Sequence, residues 1–467
     1  MVLIVHLVIF TIILAVILRA YRNKANLPPG PKGKFLIGNL FDLPSAGTQE
    51  WQHWLKHKDL YGIVSPIVFE QRLNLAGPIS SVTVLGQTLI IVNDRDLAFQ
   101  ILEKNSIKHS SRPHLVFAHD LVIGTRESAA KFNGFLELEA RRFAYRVLHA
   151  PEKFIDHNRT GEDPLVRLAN LAVWRFAEAA VPGAWLVDFI PALKYVPEWM
   201  PGANFQRVAK EHLRTITRFA ESPVAFTKSQ IDRGKDRLCF VSTLLRQGED
   251  EEIVKWSAAA IKTTAILEGF FLVMMLFPDV QRKAQAEMDE LFGKPTLPSA
   301  TDRERLPYVN AIVKEAIRWH TVAPMGIPHK TDEDDIINGA FNNDPTIYPN
   351  PREFRPERFL SEPAALEPED VSFGFGRRIC PGRLIAETSI FLTIAHTLAV
   401  FEIKKPTENG QEIEPNVYCT PGLLSHFDPF HAILTPRSQQ HEQLIVDFEK
   451  EFPFEMGDSE VLAEVYH

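Results

Sequence analysis

Cysteine is scarce. The three in 467 residues, Cys239, Cys380 and Cys419, are odd in number, far apart and without a CxxC, so the chain carries no disulfide framework. That usage fits a reducing compartment. Positive charge is also in short supply: 51 Lys and Arg stand against 59 Asp and Glu, for a net charge of −8. With no basic aromatic stripe to offset it, that balance argues against nucleic acid as a partner. No Gly/Ser linker, charge block or internal repeat divides the chain. Length alone suggests about three domains, but the unbroken composition favours one large domain. A nucleotide site is missing as well. No P-loop occurs, and Gly374-Phe375-Gly376 lacks both the third glycine and the preceding strand of a dinucleotide fingerprint.

The chain does have an ordinary globular balance, 45% hydrophobic and 24% charged, enough for a sizeable core. Its first feature is Val2 to Leu18, in which only His6 and Thr11 are not apolar. As a helix this run is about 25 Å long, short but sufficient to span a bilayer. No basic residue precedes it and no small-residue cleavage site follows, so an anchor is the better reading than a cleaved leader. Arg19, Arg22 and Lys24 lie on its C-terminal side and put that side in the cytosol. Residues 2–18 thus predict a transmembrane signal anchor, 19–31 a basic and Pro-rich hinge, and 32–467 the folded body. Leu27-Pro28-Pro29-Gly30-Pro31 is the stiff part of that hinge.

Further along, Trp51 to Leu60 predicts a short helix whose His53 and His57, four apart, are expected to be solvated. Ile79 to Val92 predicts a hairpin turning at Gly86, and Arg95 to Glu103 a helix. Helical patterns cover Phe135–Leu148, Pro164–Ala180, Asn204–Gln230, Glu251–Leu276, Pro278–Phe292, Tyr308–His320 and Leu384–Val400, with Gly293 closing one of them. Val181 to Gly202, rich in Pro and Trp, reads as a loop that touches a membrane, lines a substrate entrance or simply packs. The fold class is mainly α with small β-sheets.

The densest chemistry lies in Phe373-Gly374-Phe375-Gly376-Arg377-Arg378-Ile379-Cys380-Pro381-Gly382. Gly374 and Gly376 permit positive φ and the close approach of a flat ligand. Pro381 follows Cys380 where a helix can begin. A thiolate there is stabilised by the helix dipole and by backbone N–H groups. One cysteine cannot make a tetrahedral zinc site, but it suits a metal whose other ligands come from a cofactor.

This loop resembles the haem-binding loop of the cytochrome P450 superfamily, the haem-thiolate monooxygenases. The resemblance extends over nearly the whole chain after residue 27 and is to fungal microsomal members of the O-methylsterigmatocystin oxidoreductase type. It implies Cys380 as the axial ligand of the iron of haem b (iron protoporphyrin IX), with Phe373, Gly374, Gly376 and Arg378 at the cofactor and Arg378 on a propionate. Glu315-Ala316-Ile317-Arg318 has the spacing for a pair on one helix face. With Phe354-Arg355-Pro356-Glu357-Arg358-Phe359 it resembles the family's E-x-x-R helix and P-E-R-F segment, in the right order. Glu315, Arg318 and Arg358 would then form a structural charge cluster, for which bidentate geometry requires arginine. His329 matches a propionate-contacting position. The implied reaction splits dioxygen, placing one atom in an apolar organic substrate, with electrons from NADPH through a separate cytochrome P450 reductase. The implied location is the endoplasmic reticulum membrane, single-pass, with the catalytic domain in the cytosol.

The chain departs from the family pattern in several places. Thr263 matches the hydroxyl that assists proton delivery, but Lys262 stands where an acid is usual, and the stretch Trp256 to Phe270 is short by more than one helical turn. Ile63 to Gly77 reads as an insertion. His119–Phe132, Asn158–Asp163 and Asn338–Asp344 read as contractions, a pattern more like altered exon joining than drift. The alternative function is therefore a catalytically impaired or mis-spliced P450-like membrane protein that binds haem weakly or not at all.

Overall fold

The computed structural model describes residues 27–35, 37–45, 48–61, 79–122, 164–181, 183–234, 240–248, 251, 254–255, 264–330, 341–380 and 382–451. The anchor, the insertion at 63–77, the helix at 135–148, the join at 158–163, most of the contraction at 119–132 and the short stretch with Lys262 and Thr263 lie outside them, as do residues 331–340. The elements used below are helix α1 (Glu50–Tyr61), strands β1 (Ile79–Val84) and β2 (Gln87–Val92), helices α2 (Pro164–Ala179), α3 (Asn204–Asp232), α4 (Thr264–Leu276), α5 (Pro278–Phe292), α6 (Pro307–Trp319), α7 (Glu369–Ser372) and α8 (Arg383–Val400), and strand β3 (Phe401–Lys404). The chain folds as two compact units, one holding residues to Pro113 with Met325–Phe341, the other His114–Pro324 with Asn342 onward.

In the first unit β1 and β2 form the antiparallel hairpin, with Thr83 opposite Thr88 and Val84 opposite Gln87. Leu85 and Gly86 both take positive φ (48° and 86°), which a two-residue turn of matching twist requires. The Pro-rich connector lies bonded along β1: the Ser81 N–H donates to Pro29 O (2.9 Å) and the Ser81 hydroxyl to Pro28 O (2.6 Å). Asn39, buried, donates to Pro31 O and accepts from the Thr83 N–H, joining strap and strand. The α1 histidines differ from expectation. His57 is buried with Nδ1 3.1 Å from the Ser80 hydroxyl, and burial, aided by His53, pushes its pKa down to about 4. His53 donates from Nε2 to Asp42 O (2.9 Å).

The second unit holds the main core. Helix α4 is apolar nearly all round, and Phe270, Leu272, Val273 and Met274 are fully buried, as such a helix must be. It packs with α6 and α8, which contribute Ile312, Val313, Ile317, Ile390, Phe391 and Leu398. α8 is, among the described residues, the one helix long and apolar enough to cross a membrane, and its buried stripe makes it a core helix. Helix α5 starts with Pro278 in its first turn and stops at Gly293 in the left-handed conformation (φ 63°), as its sequence predicts. Gln281 bonds both backbone groups of Ile403, fixing α5 to β3. Glu287 accepts the Tyr308 and Val309 N–H groups (2.7 and 3.0 Å), satisfying orphan donors at the start of α6.

A second cluster joins α2 and α3 to residues 115–122. Phe117 stacks on Trp185 (3.7 Å between centroids) and its N–H donates to Asp188 Oδ1. The stretch 181–202 is partly helical, with turns at Leu186–Phe189 and Pro191–Tyr195, because buried Val187 and Asp188 face this cluster.

Candidate active site

Between α7 and α8 the chain makes a tight loop. Gly374 and Gly376 take φ of 80° and 50°, and a Cβ on Gly374 would sit 3.4 Å from Arg378 O. Positive φ there is a backbone demand that other residues meet only with strain. Short bonds close the loop: Arg378 N–H to Phe375 O (3.1 Å), Ile379 N–H to Gly376 O (3.3 Å) and Cys380 N–H to Phe373 O (2.6 Å). The last of these brings Cys380 back beside Phe373, whose ring also meets the Arg383 guanidinium at 5.7 Å. Phe375 is buried and anchors the loop, while Arg377 is exposed and Arg378 half-buried.

Cys380 sits at the entrance to α8. Its surface is open, yet the protein crowds it closely enough that burial raises the thiol pKa, with the Gly382 N–H beside the sulfur opposing the rise. Among the described residues, no group of three or more His, Cys, Asp or Glu side chains could hold a metal ion. The donor set is one sulfur, which suits a metal that brings its own nitrogen ligands.

Behind the loop the structure brings Glu315, Arg318 and Arg358 together with essentially no exposure. Arg318 is bidentate, Nε to Oε2 (2.7 Å) and Nη2 to Oε1 (2.9 Å). Glu315 Oε1 also accepts Arg358 Nε (3.1 Å) and the Arg355 N–H (2.9 Å). Two guanidinium groups to one carboxylate leave a surplus positive charge. Carbonyls offset it: Asn342 O on Arg318, Pro349 O on Arg358, and Glu353 O on both. Burial lowers the Arg358 pKa, with Glu315 opposing and the like charge of Arg318 adding to the drop.

His329 belongs to the first unit. It is buried, and its Nδ1 donates to His109 O (2.7 Å), which fixes the tautomer because a carbonyl can only accept. Neighbouring bonds hold its segment in place, Lys330 N–H to Ser111 O and Arg112 Nη1 to the carbonyls of Ile327 and Pro328. Residue-type patterns gave no sign of the Arg355 N–H, of the carbonyls at 342, 349 and 353, or of Asn342, whose side chain reaches Ser372 at the end of α7 (2.7 Å).

A largely helical body presents the exposed Cys380 thiol at a helix N-terminus, on a glycine-shaped loop, as a candidate ligand for a metal cofactor. Comparison with known proteins agrees. The family profile described as Cytochrome P450 matches residues 175–430. The chain is 38% identical to cytochrome P450 monooxygenase claR of Ampulloclitocybe clavipes, over 91% of this chain and 89% of that protein. It is 35% identical to cytochrome P450 monooxygenase ppsD of Aspergillus oryzae (94% of each) and 34% identical to O-methylsterigmatocystin oxidoreductase of Aspergillus flavus (93% and 92%). The chain belongs to the cytochrome P450 family, whose cofactor is haem, and is a monooxygenase of that family. The three alignments run over 493, 512 and 504 positions, more than the 467 residues of this chain, so the relatives carry segments that it lacks.

Proposed function

We propose that this protein is a membrane-anchored haem-thiolate monooxygenase that hydroxylates an apolar organic molecule, in secondary metabolism or xenobiotic oxidation. The observation that carries the reading is the Cys380 thiol, exposed at the start of α8 on a loop closed by its own N–H. Haem bound there supplies dioxygen activation, one oxygen atom entering the substrate and the other leaving as water, with two electrons from NADPH through a separate reductase. The protein's own groups do the holding. Cys380 Sγ would ligate the haem iron, with the Gly382 N–H tempering its charge. Phe373, Gly374 and Gly376 shape the bed for a flat ring. Arg378 would meet a propionate, and so would His329 by the match of its position to the family pattern. Thr263 is the hydroxyl for proton delivery, beside Lys262.

Residues 2–18 anchor the chain in the endoplasmic reticulum membrane with the body in the cytosol. The stretch 186–200 supports membrane contact, since Tyr195 is 79% and Trp199 80% exposed, with Leu186, Ile190 and Met200 also exposed. The name of one relative, O-methylsterigmatocystin oxidoreductase, supports an organic substrate.

The test is spectroscopic. Expressed protein, reduced and exposed to carbon monoxide, should show the red-shifted Soret band of a thiolate-ligated haem, and Cys380→Ala should abolish it. Failure to take up haem, or a red-shifted band surviving Cys380→Ala, would sink this assignment. The longer relatives favour a second reading, a P450 body impaired in catalysis. Haem uptake with the red-shifted band but no substrate turnover, given reductase and NADPH, selects it.

A further inference from the structure

Asn342 carries no chemistry in the sequence, yet it is 3% exposed and touches three segments at once. Its backbone carbonyl accepts Arg318 Nη1 (3.0 Å). Its Nδ2 donates to the Thr321 hydroxyl (3.2 Å) and to the Ser372 hydroxyl (2.7 Å). The Thr321 hydroxyl proton points at Arg318 O (3.5 Å), so that oxygen is left to accept, which orients the Asn342 amide. Ser372 ends α7, and the next residue, Phe373, accepts the Cys380 N–H through its carbonyl (2.6 Å). Backbone bonds tie the loop to itself, as Arg378 N–H to Phe375 O, and to its flanking helices, as Gly374 N–H to Val371 O and Arg383 N–H to Cys380 O. Asn342 adds a side-chain link from the loop's start toward the arginines. A polar chain therefore leads from the buried arginines through the Asn342 side chain and Ser372 to the residue that holds Cys380.

We propose that Asn342 is a positioning residue that fixes the Cys380 loop against the Glu315–Arg318–Arg358 cluster by holding Ser372. The proposal rests on Cys380 as the iron ligand. A hydrogen bond between a buried and a half-buried side chain is a small link, but the loop ends in a metal ligand, and a ligand loosely held loses its thiolate geometry. Asn342→Ala separates the two roles of the residue. It keeps the backbone carbonyl on Arg318 and so leaves the cluster paired, while the bonds to Thr321 and Ser372 disappear.

The experiment compares the parent with Asn342→Ala, Ser372→Ala and the double variant. Deuterium exchange of the segment 373–380 is read in haem-free protein, and the share of reduced, carbon monoxide-bound protein with the red-shifted Soret band in loaded protein. Each single variant should speed exchange at the Cys380 N–H about tenfold, the effect of one lost hydrogen bond on local opening. The double variant should add nothing further, because both changes cut the same link. Exchange in α6 should stay as in the parent, and the red-shifted share should fall. Unchanged exchange at 373–380, exchange rising equally in α6, or faster exchange with an unchanged red-shifted share would each overturn the proposal. A parent that binds haem without the red-shifted band would instead overturn the ligand assignment, and exchange in haem-free protein would still decide whether Asn342 holds the loop.

Discussion

Replacing Glu315 with glutamine probes the cluster behind the cysteine loop. The carboxylate takes four donors: Arg318 Nε on Oε2, and Arg318 Nη2, Arg358 Nε and the Arg355 N–H on Oε1. An amide has one oxygen. Placed at the Oε1 position it keeps three donors but turns its NH2 toward the Arg318 Nε–H, donor against donor. Placed the other way it confronts three donors with an NH2. In both orientations two buried guanidinium groups lose the negative charge they share. Breaking a buried pair by removing one partner costs about 3–5 kcal/mol, because the remaining charge is left uncompensated. That is roughly a few hundred- to a few thousand-fold in the ratio of folded to unfolded protein, set against a typical total stability of about 5–15 kcal/mol. Urea unfolding of the protein, followed by far-ultraviolet circular dichroism, should show the midpoint fall sharply with little change in slope. Haem content per chain should fall with it. A Glu315→Gln variant within about 0.5 kcal/mol of the parent would refute the claim that this carboxylate balances both arginines.

Three further outcomes follow from the same structure. Gly38→Ala should destabilise the protein more than Gly86→Ala. Both positions have positive φ (60° and 86°), which costs about 1 kcal/mol for alanine, but the Cβ at Gly38 would meet Thr83 O at 2.0 Å and that at Gly86 meets nothing within 4 Å; equal melting temperatures would contradict the strap on β1. Arg318→Lys should unfold at lower urea than the parent despite the conserved charge, since an ammonium cannot make the bidentate pair and reach Asn342 O together. The last outcome concerns Glu369, which is buried on α7 with Oε2 meeting no protein donor. Burial first, then Glu367 and Glu387, push its pKa up to about 7 from an ordinary 4.5, while Lys314 opposes. Between those values the folded chain keeps a proton the unfolded chain has released, so stability should fall as pH rises from 4.5 to about 7, by up to about 3 kcal/mol. Unfolding midpoints across that window should flatten in Glu369→Gln, and an unchanged slope would exclude this carboxyl as the source.

Much of the fold can be read from local chemistry. Pro278 and Gly293 mark the ends of α5, and the positive-φ turn at Leu85 and Gly86 makes the hairpin. The cysteine loop is legible for the same reason: two glycines, two arginines and a thiol within ten residues leave few other uses. The Glu315–Arg318 spacing shows a pair on one helix face, but Arg358 joins them from 43 positions away, which only the fold can arrange. His57 was misjudged because its partner, Ser80, arrives from a strand 23 residues later and buries it. Backbone groups were invisible for a more basic reason. The Arg355 N–H and the carbonyls of Asn342, Pro349 and Glu353 look alike in every residue type, so no pattern of letters identifies them.

Those carbonyls explain what the cluster is for. One carboxylate cannot neutralise two arginines, and a buried ion pair by itself is weak grounds for stability. Residues 342–353, however, are largely irregular, and buried carbonyls in such a segment need donors that no helix or strand supplies. Arg318 and Arg358 provide them, four N–H bonds to three carbonyls, while Trp319 Nε1 takes the carbonyl of Arg352. Lysine, with one nitrogen, could not serve carboxylate and carbonyls in fixed directions at once. The surplus charge is thus spread over an otherwise unsupported backbone, and Glu315 sets the two forks at the right angle. Once that segment is fixed, Asn342 stands where its amide meets Ser372. The arginines act on the cysteine loop through the stretch of chain they hold in place, and not by touching the loop.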